Sequence, residues 1–161
     1  MIHDADDAQT DTDALELLIR GHREVRELFD AYANATSVVS KARLAHKVFS
    51  ALEVHMSIEE EIFYPAFKVA LHDQAMVHEA EGEHGKLKDL IASLRAGVFG
   101  QPGDKSFDAR IHEMERLVDH HVHDEESEMF PAARGHAKLD LTQLGQQMMD
   151  LKTELEDLAP A

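Results

Sequence analysis

Apolar residues recur along this chain at alternating steps of three and four, the spacing that keeps them on one face of an α-helix. Leu15, Leu18, His22, Val25, Phe29 and Tyr32 make the first stripe and predict a helix over about residues 13–35, with Asp11 or Thr12 as N-cap. A second helix, about 39–63, turns Leu44, Val48, Ala51, His55, Ile58 or Glu59, and Ile62 inward. Pro65 is expected to end it, because proline disfavours helical geometry at the residue before it. Ala66 to Gln74 reads as a connector of partial helical character. The third helix, about 74–96, carries Val77, Ala80, His84, Leu87, Ile91 and Leu94. Gly97, Gly100, Pro102 and Gly103 break the pattern. A fourth helix, about 106–130, aligns Ile111, Met114, Val118, His121 and Glu125 before Pro131. The fifth, about 140–158, repeats Leu141, Leu144, Met148, Leu151, Leu155 and Leu158 with no His on the stripe.

Strand-like alternation is missing throughout, so the expected fold is all-α: an antiparallel four-helix bundle with an additional C-terminal helix. Residues 1–11 read as a flexible lead-in, 12–135 as the bundle, and 136–161 as the fifth helix, packed on the bundle or used to pair with another chain. The halves repeat. His55-Met56-Ser57-Ile58-Glu59-Glu60 leads through an aromatic to Pro65, and His121-Val122-His123-Asp124-Glu125-Glu126 leads through another to Pro131. His22 and His84 open matching runs on the first and third helices.

Residues four apart stand one above the other on a helix, so each copy aims an imidazole and a carboxylate at one point. The inward polar set is His22, His55, Glu59, His84, His121 and Glu125. Buried carboxylates need partners, and no Lys or Arg shares these stripes. A metal cation meets the need, and nitrogen and oxygen donors without sulfur suit iron or manganese better than structural zinc. His120 with Asp124 is a competing pair, but His121 with Glu125 keeps register with Val118. His120, His123, Glu60 and Glu126 are expected to face solvent or stand behind the ligands.

Composition narrows the chemistry. With no Cys, thiolate sites and disulfides are excluded, and 12 His in 161 residues is a strong bias. A formal charge of -16 argues against nucleic acid and anionic membranes as partners. The acidic start is unlike a targeting peptide and no apolar run reaches membrane-spanning length, so a cytoplasmic location is expected.

With His22, His55-x-x-x-Glu59, His84 and His121-x-x-x-Glu125, the sequence resembles the hemerythrin-like (HHE cation-binding) family over roughly residues 13–131, and its length and C-terminal helix resemble the mycobacterial stand-alone members. The resemblance implies two non-haem iron ions per chain, bridged by both carboxylates and by an oxo or hydroxo group. The family's oxygen carriers use a fifth His; here Ala80 and Lys88 stand four residues either side of His84. That difference would leave an open place on each iron, which suits peroxide better than end-on dioxygen. Glu81 could fill one place, since Glu81-x-x-His84 has ferritin-like spacing. The expected function is therefore catalase-like hydrogen peroxide dismutation, with nitric oxide detoxification as a further activity. The alternative is a module that binds dioxygen or nitric oxide reversibly, or senses iron or oxygen, without turnover. Such a protein is expected as a monomer or homodimer.

Overall fold

The computed structural model describes residues 13–158. The first helix, α1, runs Ala14–Asn34 and is capped by Asp13, whose carboxylate accepts from the Glu16 amide. That moves the cap beyond Asp11 and Thr12, which lie outside the described residues with the expected lead-in. Helix α2 runs Val38–Ile58 behind an N-cap at Ser37. Helix α4 (Gln74–Arg95) follows an Asp73 cap, and α5 spans Lys105–Asp124. The stripes on α1, α4 and α5 are buried as their spacing predicts. On α2 the buried set is shifted to Ala45, Val48, Phe49, Leu52 and Met56, leaving Leu44 and Ala51 partly covered. Short connections fold successive helices antiparallel into a four-membered bundle. Among the described residues there is no strand, and no helix is long and apolar enough to cross a membrane.

Neither proline ends its helix, contrary to expectation. After Ile58 the backbone widens into a π-turn, Glu59–Phe63, in which the Tyr64 amide reaches back five residues to the Glu59 carbonyl. It then tightens into α3, Tyr64–Leu71, with Pro65 in its first turn. Proline has no amide to donate and its ring strikes the carbonyl of the preceding turn, and the widened turn directly ahead of it accommodates both within a continuous rod. The second copy does the same: α5 passes through a π-turn, Glu125–Met129, into α6, Phe130–Arg134, with Pro131 in first-turn position. Two long rods result, each with its wide turn at mid-bundle. Such π-bulges concentrate at functional sites.

The last helix, α7 (Leu141–Leu158), lies against α1 and α2. Met148 is fully buried, while Leu158 at the far end is 75% exposed. The apolar interior falls into two blocks. One gathers Val25, Phe29, Val48, Phe49, Leu87, Ile91 and Met114; the other gathers Leu15, Leu18, Phe63, Phe67, Val77, Met129 and Met148. Between them lies a polar layer.

Candidate metal centre

Each bundle helix contributes to that layer at the same height. Buried within it are His22, Glu59, His84, His121 and Glu125, joined by His55, whose side chain is 11% exposed. The sequence-predicted six are all brought together. Ligand atoms of His22, His55, Glu59 and Glu125 lie within 4.8 Å of one another, and so do those of Glu59, His84 and His121. Glu59 belongs to both groups. Glu125 spans them as well: Oε1 is 3.1 Å from His22 Nε2 and Oε2 is 3.3 Å from His121 Nε2. Two imidazole pairs, His22 with His55 and His84 with His121, thus face each other across two carboxylates.

Glu81 is not part of this arrangement. It stands exposed beside Lys68, at 3.3 Å, because a residue three positions before His84 is turned well round the helix while Ala80, four before, faces inward. His120 also stays outside, 64% exposed between Glu83 and Asp124.

Three imidazoles are held from behind. His22 Nδ1–H donates to Glu126 at 2.7 Å, His84 Nδ1–H to Glu60 at 2.6 Å, and His121 Nδ1–H to Glu83 at 2.7 Å. Such bonds fix the ring and direct Nε2 to the centre. Glu60 and Glu126 were legible as acids next to the inward Glu, but Glu83 carries no pattern that marks it. In the sequence Tyr64 stands out only as the residue before a proline. Its Oη lies among the ligands, donating to Glu125 Oε2 at 2.6 Å and standing 3.3 Å from His84 Nε2. The π-turn explains its position, since one more residue per turn swings Tyr64 to the face of Glu59.

Burial alone would favour neutral imidazoles, yet Glu125, Glu59 and Glu126 raise the pKa of His22 above its ordinary value. The same contest, with Glu59 and Glu60, raises His84. His121 is raised too, by Glu125, Glu59 and Glu83 against burial. His55 goes the other way: burial, with like-charged neighbours, pushes it down to about 3. Burial opposes charge on Glu59, but His55, His121 and His84 hold its carboxyl well below the usual range. Burial, Glu59 and Glu125 raise the Tyr64 phenol.

A cation fits the residues present. His55 Nε2 and Glu59 Oε2 are buried without a hydrogen-bond partner among the described residues, although both aim into the layer. Buried orphans of this kind are costly, and both are metal-donor atoms. The family model of the Hemerythrin HHE cation binding domain matches residues 13–133. The chain belongs to this hemerythrin family. A crystal structure of a hemerythrin HHE cation binding domain-containing protein from Mycobacterium kansasii has the same fold, with a TM-score of 0.76 and 21% identity, covering 91% of this chain and 88% of that one. A curated relative named as a DNA nickase, from Nostoc sp. (strain PCC 7120 / SAG 25.82 / UTEX 2576), is 23% identical over 133 residues. That match takes in 83% of this chain, which spans 37% of the relative's length. This hemerythrin-family protein therefore carries a His and Glu cluster able to bind metal ions.

Proposed function

We propose that the protein holds two iron ions and dismutates hydrogen peroxide. The observation that carries this reading is the pair of imidazole pairs joined through Glu59 and Glu125. His22 and His55 would hold one ion and His84 and His121 the other, with the two carboxylates between them. Oxygen and nitrogen donors suit iron, and bound iron would supply the paired one-electron changes that peroxide chemistry needs.

The reaction takes two peroxides. One gives up two electrons and two protons and leaves as dioxygen; the other takes them and becomes two waters. The chain's own part is to hold and orient. Glu126, Glu60 and Glu83 fix three imidazoles. The Tyr64 hydroxyl donates to Glu125 at 2.6 Å and, with its pKa raised by burial and the two carboxylates, stays protonated and orients that carboxylate. Phe130 stacks on the His22 ring and meets Phe63 edge-on, an apolar cover on that side of the layer.

Mixing iron-loaded protein with peroxide is expected to release dioxygen at half the peroxide consumed. Full loading with no dioxygen evolved would overturn the catalytic reading, and a dioxygen or nitric oxide adduct reversed by degassing would favour binding without turnover. Nicking of DNA, after the Nostoc relative, has a net charge of -16 against it.

A further inference from the structure

Three of the four clustered imidazoles have a carboxylate on their outer nitrogen, and the fourth does not. Among the described residues, His55 Nδ1 has no hydrogen-bond partner. It looks past Gly21, where a Cβ would stand only 2.6 Å from Nδ1. Beyond that gap lies a groove of about 520 Å³ between α1 and α2, closed at one side by α7. Its walls include Val25, Leu28, Val54 and Ile58, and Lys47 and Lys152 line it as well. Lys152 is engaged by Glu156 at 3.2 Å; Lys47 is exposed and makes no ion pair among the described residues. Peroxide needs far less room, whereas this volume is typical of a site for a small organic molecule.

We propose that this groove binds a small apolar monocarboxylate, aliphatic or aromatic, whose carboxylate accepts the His55 Nδ1–H and so supplies from outside the partner that Glu126, Glu60 and Glu83 supply to the other three rings. The proposal rests on the metal reading only for which nitrogen carries the proton: with Nε2 on a cation, Nδ1 is a donor. His55 Nδ1 is not sealed away in the core, so a ligand entering the groove can reach it, and a charged acceptor makes the stronger bond. With Lys152 paired to Glu156, Lys47 and Glu24 are the other charges on the lining: Lys47 complements one carboxylate, Glu24 disfavours a second, and the apolar walls take the hydrocarbon part. Gly21 sets the specificity, because any side chain there closes the approach. Occupancy would tie the orientation of a metal-holding imidazole to the supply of an organic acid.

Calorimetric titration of iron-loaded protein with hexanoate, and in parallel with hexanol, tests this after the metal content has been measured. Hexanoate is expected to bind saturably and at least about ten-fold more tightly than hexanol. Gly21→Ala should abolish binding. Lys47→Glu, exposed and outside the ligand set, should weaken hexanoate and leave hexanol unchanged, which keeps the test valid if Gly21→Ala fails to fold. The visible spectrum should shift on adding hexanoate to the wild type. Absent saturation, equal affinity for the alcohol, or unchanged hexanoate binding in either variant would overturn the proposal. If no iron bound, the metal reading would fall on that measurement alone, while hexanoate binding lost in Gly21→Ala would still support an anion site at His55.

Discussion

Tyr64 Oη donates to Glu125 Oε2 across 2.6 Å, linking a residue from one π-turned rod to a carboxylate of the other. Both groups are buried, so removing the donor leaves Oε2 with only His121 Nε2 at 3.3 Å, a loss of about 1 kcal/mol. Tyr64→Phe should therefore lower the melting temperature of metal-free protein. Iron loading should restore most of the difference, because a cation takes over the carboxylate. Equal losses with and without iron would show that the phenol acts as packing alone.

Glu59 and the histidines differ in what they should control. Glu59 belongs to both ligand groups, whereas His55 belongs to one. Glu59→Ala is expected to empty both positions and His55→Ala mainly one. Elemental analysis of the purified variants checks this, and identical stoichiometries would refute the division of ligands.

Metal must also displace protons. His22, His84 and His121 have raised pKa values in the metal-free chain, so they keep protons to higher pH than free histidine. Apparent iron affinity should rise with pH across the neutral range, and loading in weak buffer should acidify the solution. Replacing a supporting acid, as in Glu126→Gln, should cost about 10–100-fold in affinity while reducing the protons released. A calorimetric titration in two buffers of different ionisation enthalpy reads both.

Far from the centre, Asp108 accepts from Tyr32 at 2.6 Å and pairs with Lys41 at 2.8 Å. Burial works against its charge, but Lys41 and Tyr32 prevail and hold its carboxyl below the ordinary range. A depressed folded pKa contributes stability that is present above the unfolded value and lost as pH falls through the folded one. Asp108→Asn should thus destabilise by no more than about 1 kcal/mol at neutral pH, and less below the unfolded value. Urea melts at pH 7 and pH 3 would show it.

Much of this was legible in spacing. His55 and Glu59, and His121 and Glu125, declare a shared face through steps of four, and His22 and His84 sit on stripes whose neighbours are plainly core. Helix ends were less legible. Pro65 and Pro131 stop a helix that keeps regular geometry, but a π-turn ahead of them alters the carbonyls they would strike, and no residue pattern signals that turn. Tyr64 was hidden by the same cause, since its facing depends on the extra residue. Glu81 had the right spacing but the wrong side of the helix. Glu83 and Gly21 act through contacts with distant helices, which periodicity along one helix does not encode.

The polar layer divides the interior into two hydrophobic blocks, and its carboxylates and imidazoles cohere through opposite charge. Bound cations would rivet the halves together, since any ion that prefers the folded chain raises its stability with concentration. Stripped of them, the domain becomes two smaller cores meeting across a wettable seam. Amides near Leu18 and Phe67 should then exchange out of step with those near Phe49 and Ile91. The cooperativity of this fold would in that sense follow the surrounding supply of the metal its cluster binds.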